Sequence, residues 1–251
     1  MGALLVLAAG SVDAGAESER PLHFLSKQCN EDALEMHLDP GPFQDRAGPG
    51  HSLALVEGKA RVVIVVQDCS QYWIDGEDLG PAQDLHVWVS IRGAEEVRPV
   101  VGAERTQPTR TWLGLFYGSS NPRVRQARRA AGAAPAQVEG VFLAPPGPQR
   151  AGRVSVQGGL EYSWDVATPA APSARLVGLN HDVHARNAAG DFVLNRIQAL
   201  VRVAAGPSQG TLKIAGGEDP PGWIQPGIYP VWVSTFFPMW SRATLGLAPS
   251  R

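Results

Sequence analysis

Residues 174–204 read ARLVGLNHDVHARNAAGDFVLNRIQALVRVA, the longest stretch of clean period-two alternation in the chain. Side chains along a strand point alternately to two faces. On the first arm Val177, Leu179, His181, Val183 and Ala185 share one face, and Asn180, Asp182, His184 and Arg186 share the other. On the second arm Val193, Asn195, Ile197, Ala199, Val201 and Val203 oppose Arg196, Gln198 and Arg202. The intervening Asn187-Ala-Ala-Gly-Asp191 is rich in turn formers, and Gly190 is free to take a positive φ. A hairpin follows. Pairing Arg186 with Phe192 sets Asp182 opposite Arg196, as a cross-strand ion pair on the wet face, and Val183 opposite Asn195. This register puts both apolar faces on one side, which is what fixes register in a half-buried hairpin. It leaves His181 and Asn195 as polar residues on the apolar face. An unpartnered buried polar group costs roughly 1–3 kcal/mol. The pair therefore either satisfies itself and the backbone or faces a cavity.

The same signature recurs outside the hairpin. Leu85–Arg92, Thr109–Tyr117 and Leu160–Val166 alternate. Lys59–Asp68 does not: Val62, Val63, Ile64, Val65 and Val66 run together, which predicts a strand buried on both faces. Leu34–Leu38 and Thr211–Ile214 read as short strands, and Asp39–Phe43 as a turn. Ile228–Phe237 is an aromatic strand whose Pro230 and Pro238 predict an edge or a bend. The clearest helix is Asn121–Gly132, with Asn121 as its cap, Pro122 at the first position and Gly132 just past the end. Val124, Ala127, Arg128 and Ala131 form one stripe of it, and Arg123, Arg125 and Arg129 lie off that stripe. It reads as a solvated amphipathic helix across one end of a sheet. Many short strands, one short helix, 28 glycines, 21 prolines and no βαβ alternation predict an all-β fold, an antiparallel β-sandwich or β-barrel. Residues 17–251 suit a single β-rich domain, with 144–152 as a long loop or sub-domain break.

Composition narrows the class. Apolar content of 44% and charge of 18% are those of a globular protein. A net charge of −2 argues against a nucleic-acid partner. No run reaches the ~18 apolar residues of a membrane helix. Met1–Ala16 resembles the tail of a secretory signal peptide, with an apolar Ala3–Ala9 and a small-residue cleavage pattern at Ala14-Gly-Ala16. Export to the periplasm or outside the cell is expected, and with it a disulfide between the only two cysteines, Cys29 and Cys69.

Few motifs carry chemistry. His181-Asp-Val-His184 has metal-like spacing, but residues three apart on a strand point to opposite faces, so no metal site is expected there. Asp75, Glu77 and Asp78 match no EF-hand loop and read as an exposed turn. Nucleotide, phosphate and nucleophile-elbow motifs are missing, so no cofactor is expected. The lysines are Lys27, Lys59 and Lys213, and none sits in a strongly apolar strand as a Schiff-base lysine requires. The seven tryptophans are core residues or walls of an apolar pocket.

The first reading is an exported binding protein that holds a small apolar or aromatic ligand in an internal cavity. His181, Asn195, Trp164, Tyr162, Trp88 and Trp232 would line that cavity. A second is an enzyme on a small hydrophobic or carbonyl substrate, with His181 as catalytic acid or base oriented by Asn195 or Asp165. A third is an envelope protein that presents Ile228–Phe237 as an edge strand to a partner.

Overall fold

The structure is a computed structural model that describes residues 21–48, 50–130, 135–144, 150–166, 175–187, 190–216 and 224–247. The leader-like Met1–Ala16, Trp223, the helix end at Ala131 and Gly132, and the interior of the 144–152 segment lie outside the described residues. The elements in order are β1 (Leu22–Leu38), α1 (Gly41–Ala47), β2 (Leu55–Val56), β3 (Lys59–Ile74), β4 (Glu77–Ser90), β5 (Arg105–Thr106), β6 (Arg110–Ser119), α2 (Pro122–Ala130), β7 (Ala136–Leu143), β8 (Arg150–Val156), β9 (Leu160–Val166), β10 (Leu176–Arg186), β11 (Phe192–Ala215) and β12 (Gly227–Leu247).

The fold is all-β, and its strands join into two closed rings. Pairings run β1-β3-β4-β6-β10-β11-β12 and back to β1, and also β1-β3-β4-β6-β7-β8-β9-β11-β12 and back to β1. Long bent strands make this arrangement. β11 pairs its first half with β10 and its second half with β9, while β12 follows it along both halves. Most pairs are antiparallel; β6 runs parallel to β7 and to β10, and β5 parallel to β10.

The wall β1-β3-β4 is common to both rings, and this explains the valine run. Val62, Ile64 and Val66 pack into the second ring with Leu34, Leu85, Val87, Val154 and Leu212. Val63 and Val65 face the first ring with Trp88, Trp112 and Val183. The strand is covered on both faces, as its lack of alternation predicts.

The β10–β11 hairpin has the register read from its pattern: Arg186 opposes Phe192, Asp182 opposes Arg196 and Val183 opposes Asn195. Its outer face is less wet than the alternation implies. Residues 98–106 pack over it, Asn180 is buried, and its Nδ2 donates to the Arg98 carbonyl at 2.8 Å. Asp182 pairs with Arg98 at 2.6 Å and lies 3.9 Å from Arg196. Gly178 permits this cover: a Cβ there would stand 2.6 Å from the Val100 Cβ.

Other local expectations need correction. The Asp39–Phe43 turn leads into α1, which buries Phe43 and Ala47. β12 is not an edge; it pairs with both β1 and β11. Its prolines remove ladder donors, and the β11–β12 register slips between Leu200 and Val201, where Val201 meets Pro238. The acidic turn is exposed, as its sequence reads; Asp75 Oδ1 accepts from the His23 amide, Asp78 Oδ1 accepts from the Gly80 amide, and Glu77 pairs with Arg123.

Cys29 and Cys69 face one another on β1 and β3 and form a disulfide. The bridge spans a sequence separation of 40 residues. In the chain-entropy account such a loop is worth about 4 kcal/mol. The Cys29→Ala/Cys69→Ala variant is therefore expected to melt on the order of 10 °C lower by circular dichroism. An unchanged midpoint would contradict that account.

Candidate functional site

The first ring encloses a cavity of about 180 Å³. Alternate residues of each strand supply its wall. β1 gives Glu31, Ala33 and Glu35; β3 gives Arg61, Val63, Val65 and Gln67; β4 gives His86 and Trp88. β6 gives Arg110 and Trp112, β10 gives Val177, Leu179 and His181, and β11 gives Ile197, Ala199 and Val201. Trp232, Ser234 and Phe236 come from β12.

His181 is in this wall. Trp112 Nε1 donates to its Nδ1 at 3.0 Å, and the Trp88 ring lies 5.7 Å away. Burial pushes the His181 pKa down to about 3, and the charges of Arg110, Arg98 and Arg61 add to this. The ring is neutral at pH 7. With Nδ1 accepting from Trp112, the hydrogen is on Nε2. The residue thus offers a hydrogen-bond donor to a ligand, where the second reading of the sequence had it as the catalytic acid or base.

Asn195 does not join it. The β11–β12 ladder slips between Leu194 and Arg196, and Asn195 Oδ1 fills the gap by accepting from the Gly246 amide at 3.1 Å. Asn195 lines an adjoining cavity of about 480 Å³ beside β6, which shares His86, Trp88, Arg128 and Ile197 with the first. Asp165 is exposed on β9. Tyr162 and Trp164 also leave the candidate site: their face of β9 packs into the second ring, where Trp164 Nε1 donates to Asp32 Oδ2 at 2.9 Å. Trp88 and Trp232 do line the cavity. Trp232 is 38% exposed, at its mouth, and its ring lies tilted against His37 at 5.3 Å.

The structure adds charged residues that pattern reading passed over. At the mouth Glu35 bonds both Arg61 and His37. Burial works to raise the Glu35 pKa, but Arg61 and then His37 hold it below the usual carboxylate range. The Arg61 guanidinium lies 5.5 Å over the Trp112 ring, and its Nε is buried without a partner. Arg110 stands nearby; burial and the Arg61 charge lower its pKa. Arg61 pairs with Glu35, and the Glu35 charge also acts on Arg110.

Further in, Glu31 is buried, with its carboxylate accepting from Gln67 Nε2. Burial raises its pKa to about 7; the Gln67 hydrogen bond opposes this and the Asp32 charge adds to it. Beyond it α2 closes the ring. Val124 is its buried anchor, and Arg128 enters the cavity lining, 4.6 Å over the Phe24 ring and 4.0 Å over the Tyr117 ring. The helix is not wholly solvated: an arginine on its inward stripe was the available signal. His86 next to Arg128 has its pKa lowered to about 3, by burial first and then by that charge.

The histidines 181 and 184 lie on opposite faces, and His184 Nδ1 meets His51 Nε2 at 3.3 Å instead. Among the described residues no cluster of three or more His, Cys, Asp or Glu is placed to hold a metal ion. Lys27, Lys59 and Lys213 are exposed and line no part of the cavity.

No family model and no curated relative matches the chain. Solved structures do. The enduracididine biosynthesis enzyme MppR with bound HEPES aligns with a TM-score of 0.54 at 14% identity, over 90% of this chain and 86% of that one. MppR complexed with pyruvate aligns at 0.51 and 14% identity, over 92% and 91%. An acetoacetate decarboxylase-like enzyme from Sphingomonas wittichii RW1 aligns at 0.52 and 12% identity, over 90% and 91%. The likeness shows that this chain shares the fold of acetoacetate decarboxylase-like enzymes.

Proposed function

We propose that the chain is an enzyme that moves a proton at the carbon beside the carbonyl of a small carboxylate substrate. The observation that carries this reading is Glu31, a buried cavity carboxyl whose pKa of about 7 leaves it half ionised at neutral pH. A general acid–base group works best with its pKa near the working pH. The substrate carboxylate sits against Arg61 and Arg110, and its carbonyl oxygen accepts from His181 Nε2–H. The chain of the substrate lies against Val63, Val65, Leu179 and Ile197. Glu31 takes a proton from the carbon next to the carbonyl, and the electron pair of that C–H bond moves to oxygen. The enolate oxygen is held by the His181 hydrogen bond, and Glu31 returns the proton to carbon. An imine route has no amine in the cavity, because no lysine lines it. MppR, of the same fold, binds pyruvate, a small keto acid of this class.

The plain binding reading uses the same cavity but gives Glu31 no task. The disulfide supports export, as an oxidising compartment keeps such bonds intact.

The test is deuterium uptake at the C3 position of pyruvate, 2-oxobutyrate and phenylpyruvate in D2O, followed by NMR. The protein should speed exchange for at least one of them, and Glu31→Gln should lower that rate at least ~100-fold. No acceleration with any of the three would overturn the reading.

A further inference from the structure

The wall of the first ring has a gap. β6 pairs with β10 only over residues 110–113 and with β7 only at Gly118 and Ser119. Between these, residues 114–117 keep β4 on one side, and among the described residues no strand pairs with them on the other. Gly114, Leu115 and Phe116 are half-buried there. The cavity of about 480 Å³ occupies this gap and continues the first cavity. Along one face of β10, Val177, Leu179 and His181 line the first cavity, and Val183 and Ala185 line the second. Trp88 and Ile197 line both.

The wall of the second cavity is mainly apolar, with Leu113, Leu115, Phe116, Val183, Ala185 and Leu245, and among the described residues it has no Asp or Glu. Its polar groups are engaged elsewhere. Arg186 Nη1 donates to the Gly190 carbonyl at 2.7 Å, and its guanidinium lies 4.2 Å over the Phe192 ring. Asn195 accepts from the Gly246 amide, Arg128 hydrogen-bonds Tyr72 beside the Asp84 charge, and Arg46 is engaged as well. What they leave to a ligand is apolar surface. The first cavity, at about 180 Å³, is smaller than the roughly 300–1,000 Å³ of ordinary small-molecule sites, and only with the second does it reach that range. Val183 stands two residues past His181 on β10, ~7 Å further along the strand. Pyruvate and 2-oxobutyrate extend only one and two carbons past the carbonyl carbon, at about 1.5 Å per bond, and stop short of it.

We infer that the gap between β6 and β10 is a side-chain subsite of the cavity, and that the substrate is a 2-oxo acid whose chain ends in a bulky apolar or aromatic group. The carbonyl stays at His181, and the tail passes Trp88 and Ile197 to lodge against Val183, Ala185 and Leu115. This rests on the proposed function for the 2-oxo acid end, but the preference for the tail is read from binding alone, without turnover.

The test is calorimetric titration of the full chain at pH 7 with 2-oxobutyrate, 4-phenyl-2-oxobutanoate and 2-oxoadipate. Burial of the phenyl ring should make the phenyl acid bind at least ~10-fold tighter than 2-oxobutyrate. It should also bind tighter than 2-oxoadipate, whose tail is charged. Ala185→Phe fills the gap from β10 and should bring the phenyl acid to within about threefold of 2-oxobutyrate. Ala136→Leu narrows the gap from β7 and should cut the same preference. Should both variants fail to fold, the comparison of the three acids on the unaltered protein still decides. Equal binding of the phenyl acid and 2-oxobutyrate, tighter binding of 2-oxoadipate than of the phenyl acid, or no binding of any at millimolar concentration overturns the inference. So does a preference that survives Ala185→Phe in full. The two proposals fail separately. Keto-acid exchange with no preference for the phenyl acid sinks only this inference; that preference with no exchange leaves a protein that binds such acids and sinks the enzyme.

Discussion

Asp32→Ala is expected to cost about 3–5 kcal/mol of stability, enough to unfold much of the protein at 37 °C. Asp32 has no exposed surface. Arg150 Nε reaches both of its oxygens at 3.0 Å, Trp164 Nε1 donates to Oδ2 at 2.9 Å, and Thr235 Oγ1 donates to Oδ1 at 2.7 Å. One carboxylate thus ties β1 to β8, β9 and β12 across the second ring. Removing it leaves Arg150, itself 2% exposed, as a buried charge with nothing to answer it. The cost comes from that orphaned guanidinium more than from the lost bonds. The paired variant Asp32→Leu/Arg150→Met should therefore be more stable than Asp32→Ala alone, because it removes both charges. Urea unfolding of the three proteins separates the cases. If Asp32→Ala loses less than about 1 kcal/mol, or the paired variant is the weaker of the two, the network is not holding the rings together.

Much of the fold was legible because it rests on short-range pattern. The hairpin register followed from matching two apolar faces, and the doubly covered β3 from an unbroken run, Val62–Val66. The site was legible only in part. His181, Trp88 and Trp232 belong to the cavity, since each sits on an apolar alternating face. Tyr162 and Trp164 satisfy the same rule yet line the other ring, because alternation says which residues share a face and not which ring that face closes. Asn195 was turned to the Gly246 amide by a one-residue slip in the β11–β12 ladder, which depends on where Gly246 falls on a strand distant in sequence. Glu31 and Glu35 alternate cleanly with Asp32 and Leu34, but a carboxylate on a strand ordinarily marks the solvent face. Only ring closure by β10 and β11 turns that face inward. Arg128 gave a warning, as a charge on the buried stripe of α2.

The second large effect is the shape of the stability–pH curve. His86 and His181 have folded pKa values of about 3, below the ordinary 6.5. Unfolding lets each take up a proton, so their contribution is complete above pH 6.5 and is lost as pH falls toward 3. Glu31 acts in the other direction. Its folded pKa of about 7 exceeds the ordinary 4.5, so it favours the folded state at low pH, and this is lost as pH rises through 7. Between pH 4.5 and 6.5 unfolding takes up protons at two histidines and releases one at Glu31. For these three groups the net of one proton makes stability fall by about 1.4 kcal/mol per unit of acidification, or about 3 kcal/mol over the interval; the lowered pKa of His184 adds to this fall and the raised pKa of Asp84 opposes it. Below pH 4.5 the Glu31 offset is gone and the slope steepens. The histidines with lowered values (His86, His181 and His184) outnumber the carboxyls with raised ones (Glu31 and Asp84), so the maximum lies near pH 6.5, with a shallow decline just above it. Glu31→Gln removes the opposing limb. That variant should be about 3 kcal/mol more stable than the parent at pH 8 and no different at pH 4, while losing its function. Urea titrations at pH 4, 6.5 and 8 measure all of this. A parent protein that keeps gaining stability from pH 6.5 to 8, or a Glu31→Gln variant that matches it at pH 8, would mean that Glu31 is ionised in the folded cavity. Such a carboxylate would have lost the near-neutral pKa on which its role as a proton carrier depends.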